Sequence, residues 1–318
     1  MPSSSSLAIR HLLIPGAAPQ TDAGAALPPL PALPNLQALV RQLRVADTIT
    51  CDADGAAHPH ELAAARANGL PGDAGRIPWA AFESGTVGTP CAWLRPVHIQ
   101  IGMDSVQLIG ADEMALADAD SQALAAACSP LLAHEGITVA HALPAAWLAR
   151  GELLRHVVAP GAAHAAGQPL TRASLPHDPN PERQRRLARL QSELEMLLAT
   201  HPVNAAREAA RQWPVNMLWI DGAGALDAPL PPRPDVWVAP HLCRGDAART
   251  ARGHAAAWQA IDAEHAAPLL AALRAGQPVK LTLSGPRRAI TLAPAAGLWH
   301  RVSSLFAGDR LQSLRDQL

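Results

Sequence analysis

The chain has 318 residues, 49% of them hydrophobic, enough to bury a large core in one big α/β domain or two closely joined ones. Its formal net charge of -1 supplies no basic field for nucleic acid or an anionic membrane surface. Cys51, Cys91, Cys128 and Cys243 form no CxxC pair, so neither a zinc knuckle nor a disulfide framework is expected.

The apolar run over residues 7–14 predicts a strand stopped by Pro15-Gly16. Prolines 28, 29, 31 and 34 cannot continue a ladder, but Pro34-Asn35 can open a helix patterned by Leu36, Leu39, Val40 and Leu43. A second helix is predicted over 60–68, ended by Gly69, and residues 77–109 read as a mixed region with a strand at 106–109. The pattern then predicts a helix over 111–132, a strand over 137–140 and a short helix over 145–154 around Trp147. Residues 161–181, rich in Ala, Gly and Pro, read as a long exposed loop or a boundary between halves. Asn180 caps the next helix, Pro181 takes its first position, and Leu187, Leu190, Leu194, Leu197 and Leu198 form its buried stripe.

Residues 215–220 and 235–239 read as buried strands, 247–273 as one or two helices, and 279–283 with 289–292 as late strands ahead of a terminal helix after Ser303. Strands alternating with helices predict an α/β fold, a mostly parallel central sheet flanked by helices. We expect a single domain over 1–318, with 161–181 as its one candidate internal boundary. No stretch approaches the roughly 20 apolar residues of a membrane span, and the start lacks a cationic leader, so a cytoplasmic protein without a membrane partner is expected.

Residues 187–224 read LARLQSELEMLLATHPVNAAREAARQWPVNMLWIDGAG. The HPVN, Arg, PVN and GAG succession resembles the archaeal-type cofactor-independent phosphoglycerate mutases, and resembles more closely the RpfE-type bacterial regulatory proteins. The run APHLCRGDAARTARG over 239–253 is similar to a mutase helix reading R-G-L-A-R-x-x-G. The resemblance implies an alkaline-phosphatase-like fold, in which enzymes hold two metal ions on Asp and His and use a Ser as phosphoryl acceptor. Where the enzymes end their first strand in Asp-Gly, this chain has Pro15-Gly16. Pro34, Asn35, Leu36 and Gln37 match a PNLD-like helix start, but His60 and Glu61 stand at the Ser-Asp pair. Ser284-Gly285 replaces a late Asp-His, and Gly253-His254-Ala255 keeps one ligand of a Gly-His-Asp run. Scaffold motifs are present while the charged ligands and the nucleophile are not.

The resemblance therefore implies a non-catalytic regulatory or ligand-binding protein on a phosphoglycerate-mutase-like scaffold, with no cofactor and no metal. Its ligand is a small phosphorylated or carboxylated metabolite, or a protein partner. The alternative is a mutase or phosphohydrolase with a rebuilt site of His60, Glu61, His254 and Asp221 around a divalent metal such as Mn or Zn. Ligand-binding candidates are Asn204, Arg207, Asn216, Asp221 and Arg244, since Arg offers a planar fork for carboxylate or phosphate.

Each candidate also has a structural reading. Asn204 caps a helix starting near Ala205, Asn216 satisfies loop backbone, and Asp221-Gly222-Ala223-Gly224 forms a tight turn after a strand. His58-Pro59-His60-Glu61 reads as a metal candidate or a helix cap, and Arg183, Arg185, Arg186 and Arg189 as an anion site or a solvated helix face. Most of the eight tryptophans are expected in the core, with Trp93 either there or on a partner surface.

Overall fold

Prolines open four helices, Pro34–Gln42, Pro59–Asn68, Pro181–Ala199 and Pro202–Ala209, at the position where a missing N–H costs nothing. The computed structural model describes residues 9–18, 29–52, 55–103, 105–166, 169–171, 174–243, 250–294 and 310–318. Its strands among these residues are β1 (His11–Ile14), β2 (Leu43–Thr50), β3 (Cys91–Ile101), β4 (Val106–Ile109) and β5 (Thr138–Leu143). They continue with β6 (Ala146–Arg150), β7 (Met217–Gly224), β8 (Val236–Val238), β9 (Lys280–Ser284) and β10 (Arg288–Pro294). The chain divides into two compact units, one of Met1–Asp54, His58–Gly69 and Arg233–Leu318, the other of Gly55–Ala57 and Leu70–Pro232. The segment 161–181 lies inside the second unit.

The first unit holds a sheet ordered β2-β10-β9-β1-β8. Strand β1 runs parallel to both β8 and β9, while β10 pairs antiparallel with β9 and β2. Leu12, Ile14, Leu281 and Leu283 pack with Leu36, Leu39, Trp258 and Ile261 from the flanking helices. Burying each leucine contributes about 2 kcal/mol, an upper estimate because unfolded chains are already partly collapsed. The helix Pro34–Gln42 has an apolar residue, Leu33, at its N-cap and so cannot cap itself. Asp262 supplies the cap from far along the chain, accepting from the Leu36 amide at 2.7 Å and from Asn35 Nδ2 at 2.9 Å.

The second unit holds a sheet ordered β4-β3-β6-β5, with β7 also pairing β3, and every pairing in it is antiparallel. Helices Asp118–His134 and Pro181–Ala199 pack on it through Leu124, Cys128, Leu187, Leu190, Leu194 and Leu198 against Leu94, Trp147 and Ile220. Trp147 is fully buried and donates its indole N–H to Ser121 Oγ at 2.8 Å, which donates in turn to the Pro144 carbonyl at 2.7 Å.

Several expectations are corrected. The sheets are not mostly parallel, because only two of the eight strand pairings among the described residues are, both of them made by β1. Hairpin-like neighbours in the second unit need no crossover helix, so antiparallel pairing wins there. Residues 146–150 form a strand rather than a helix; β6 is flanked by β3 and β5, and that burial overrides alanine's helix propensity. The helix predicted over 111–132 breaks at Ala115, which has a φ of 43°. The supposed turn Asp221–Gly224 belongs to β7 itself and pairs with β3 across a bulge. Strand β8 is an edge strand whose Trp237 and Val238 are exposed, not a buried one. Of the tryptophans, Trp147, Trp219 and Trp258 are fully buried, whereas Trp213 and Trp237 are exposed and Trp299 lies outside the described residues.

Candidate functional site

The polar residues of the 200–224 stretch are committed to backbone. Asn204 is buried; its amide nitrogen donates to the carbonyls of Leu198 at 2.8 Å and Val215 at 2.6 Å, and its oxygen accepts from the Val215 amide at 2.8 Å. It lies inside the helix Pro202–Ala209 rather than capping it; the cap is His201, which accepts from the Val203 amide. Arg207, 2% exposed, donates Nε to the Trp213 carbonyl at 2.9 Å and a terminal nitrogen to the Met114 carbonyl at 2.5 Å. Asn216 bonds the Ile99 amide at 2.7 Å and carbonyl at 3.0 Å, standing in for a ladder residue beside β3. These three side chains bind the fold together, and a ligand would have to break those bonds to reach them.

The rebuilt-site residues are also placed. Asp221, in the second unit, pairs with Arg95 Nε at 2.5 Å. His60, Glu61 and His254 belong to the first unit. Glu61 accepts from the His58 amide in a capping box, and the His58 and His60 rings stack at 5.3 Å. His254 is buried and accepts from the Trp258 indole at 3.1 Å. Arg244 lies outside the described residues. The arginines of Pro181–Ala199 are not merely solvated: Arg186 and Arg189 both bond the buried Glu135, and Arg183 bonds the buried Asp178. Burial opposes ionisation of Glu135, yet its two guanidinium bonds outweigh this and hold its pKa below the usual carboxylate range.

At the carboxyl ends of β1 and β9 the chain offers Pro15, Gly16, Ser284 and Gly285. Ala17 donates its amide to the Ser284 carbonyl at 2.8 Å, and its own carbonyl accepts from Arg315 Nε at 2.8 Å. Arg315 is 1% exposed and follows from the terminal helix Arg310–Arg315. A Cβ on Gly285 would meet Leu318 at 2.7 Å, so the chain's end is packed onto these strand ends. A two-metal centre needs carboxylates and imidazoles at such a place. Pro15, Gly16, Ser284 and Gly285 provide neither.

A feature that sequence reasoning missed lies at the opposite, amino ends of the parallel strands. A cavity of about 810 Å³ is lined by Arg10, His11, Arg66, Arg233, Asp235 and Lys280 with an apolar floor of Val236, Val279 and Ala293. Arg233 pairs with Asp235 at 3.3 Å and Arg66 with Asp47 at 3.2 Å. Arg10 and Lys280 have no carboxylate partner among the described residues. His11 accepts or donates to Thr282 Oγ1 at 2.8 Å. Its pKa is lowered to about 4, first by burial and then by Lys280 and Arg233, with Asp235 opposing. The only visible signal was a cation at or just before each parallel strand, Arg10, Arg233 and Lys280, scattered across the chain.

No family model and no curated protein matches this sequence. Two solved structures are similar to it along nearly their whole lengths. One is the cofactor-independent phosphoglycerate mutase from Thermoplasma acidophilum, at 15% identity, 98% coverage of this chain and 99% of that one, with a TM-score of 0.38. The other is the PH0037 protein from Pyrococcus horikoshii, at 12% identity, 96% and 92% coverage, with a TM-score of 0.44. At these scores the overlap assigns no residue a role and no activity to this chain. No helix among the described residues is long and apolar enough to cross a membrane.

Proposed function

We propose that this chain is a non-catalytic binding protein for a small phosphorylated or carboxylated compound, regulatory in kind, as its resemblance to the RpfE-type proteins implies. The observation that carries the reading is the cation-lined cavity of the first unit, in which Arg66 and Arg233 are paired with carboxylates while Arg10 and Lys280 have none among the described residues. Such a place favours a dianion, because charge-assisted bonds to Arg and Lys are roughly twice as strong as neutral ones. Its volume falls in the range of small-molecule sites. The packed, ligand-poor ends of β1 and β9 support the non-catalytic part, since phosphoryl transfer through a metal pair requires charges those residues lack.

The test is isothermal titration calorimetry with phosphoglycerate and with sulfate, on the full chain and on Arg10→Gln and Lys280→Gln variants. Each variant is expected to weaken binding about 10-fold, the value of one charge-assisted bond. Equal affinity in all three proteins would place the ligand elsewhere. Turnover of phosphoglycerate in a coupled assay with Mn²⁺ would overturn the non-catalytic reading and restore the rebuilt-site alternative.

A further inference from the structure

A second cluster in the first unit, at the carboxyl side of β8, is explained by none of the foregoing. Beyond Val238 the chain turns through a short 3₁₀ segment, Pro240–Cys243, which presents His241. Facing it is a π-helical turn, Asp262–Ala266, set between the helices Ala251–Ile261 and Ala267–Arg274. Such widened turns are rare and recur at functional sites, because they re-aim side chains that an α-helix would point elsewhere. Here one end of the turn is fixed by Asp262, whose carboxylate caps the helix Pro34–Gln42. Beyond that anchor the turn carries Glu264 and His265 toward His241.

The geometry is that of a ligand set. One donor atom from each of His241, Glu264 and His265 lies within 4.8 Å of the others. His241 Nε2 is 3.8 Å from Glu264 Oε2, too far for a hydrogen bond, and the two imidazole rings meet edge to face at 5.2 Å. His265 Nε2 is buried and has no hydrogen-bond partner, and neither has His241 Nδ1. An unsatisfied buried polar atom costs about 1–3 kcal/mol, and His265 Nε2 calls for an explanation; His241 can give an ion only one of its two ring nitrogens. The Trp237 ring lies 5.6 Å from the His265 ring, centroid to centroid. Burial, then the neighbouring His241, lowers the His265 pKa against the pull of Glu264.

We propose that His241, Glu264 and His265 bind one divalent transition-metal ion, zinc by the chemistry of the set, with the fourth position left to water. Two imidazoles and one carboxylate suit Zn²⁺ or Co²⁺ rather than the all-oxygen shells of Mg²⁺ and Ca²⁺. Bonds near 2 Å in a tetrahedral shell put ligand atoms about 3.4 Å apart, so loading closes the cluster by about an ångström. Glu264 is the group free to move, its side chain being 62% exposed. The ion would hold the strand-end turn against the π-helical turn. It is a single-metal site, chemically unlike a phosphoryl-transfer pair, and it shares no residue with the cation-lined cavity.

The experiment uses the full chain stripped with chelator and titrated with Zn²⁺ by calorimetry and with Co²⁺ by visible absorption. One equivalent is expected, with Co²⁺ bands as intense as a four- or five-coordinate shell requires. His265→Gln and His241→Gln should each weaken Zn²⁺ at least about 100-fold and abolish those bands; Glu264→Gln should weaken it about 10-fold. If either histidine variant fails to fold by circular dichroism, Glu264→Gln decides, because its carboxylate is exposed. Absence of stoichiometric binding, or affinity unchanged in the folded variants, would overturn the assignment. Sulfate binding is measured in parallel and is expected to be untouched by these substitutions.

Discussion

His11 gives the sharpest prediction, because its position fixes both a sign and a size. Burial disfavours its charged form, and Lys280 and Arg233 add like-charge repulsion, so its folded pKa is about 4 against 6.5 for an ordinary histidine. The unfolded chain therefore binds a proton that the folded chain refuses between these two values. Stability from this group is complete above pH 6.5 and is lost as pH falls toward 4. The whole interval corresponds to about 3 kcal/mol, of which roughly 2 kcal/mol has gone by pH 5. Urea unfolding at pH 7 and pH 5 should show the wild-type chain losing about 2 kcal/mol more than His11→Gln, which keeps a polar partner for Thr282 but cannot titrate. The ring's own resonance, assigned by its absence in the variant, should titrate near pH 4. Sulfate remains a dianion throughout this range, and in the cavity it would offset Lys280 and Arg233. Its binding should then take up protons at pH 5 in the wild type but not in the variant. Identical pH-stability curves for the two proteins, or a ring titrating near 6.5, would refute the reasoning.

Two further predictions concern the second unit. Asn204→Ala removes three hydrogen bonds and leaves the buried Val215 amide without an acceptor, so a loss of about 3 kcal/mol in chemical unfolding is expected, where a cap residue would cost nearer 1. Gly222 has a φ of 60°, and a Cβ there would sit 2.8 Å from Trp79 Cβ and 3.1 Å from the Ala80 nitrogen. Gly222→Ala should therefore cost about 2–4 kcal/mol and lower the melting temperature, with no rescue by trimming a flexible neighbour.

How far the sequence revealed the structure depended on where each signal lay. The helix Pro181–Ala199 was legible because cap, first-position proline and leucine stripe are all local. Strand β6 was not, since Ala-Trp-Leu-Ala carries helix propensity and its strand character comes from neighbours distant in sequence. Strand β3 was hidden by Pro96, a residue that argues against a central strand. The structure resolves this: Pro96 falls between the part of β3 paired with β6 and the part paired with β4, so on that side its missing N–H breaks no ladder. At the candidate site, the sequence offered backbone bonding for Asn204 and Asn216, but the actual partners, Leu198, Val215 and Ile99, and the two carbonyls that claim Arg207 come from other segments of the chain. The cavity was illegible for a like reason. Arg10, Arg66, Arg233 and Lys280 are ordinary surface cations one by one, and only the strand order brings them together.

The interrupted course of the first unit bears on how the molecule is made. Strand β1 is synthesised well ahead of both its neighbours, at residues 236–238 and 280–283. Between them the ribosome produces the whole continuous stretch Leu70–Pro232, whose antiparallel pairings and helices need nothing translated later for their own core. That stretch is thus free to fold first, while the apolar face of β1 stays uncovered until the last strands arrive. Nascent chains stalled before residue 236 should be the ones that engage chaperones, through Leu12, Leu13 and Ile14.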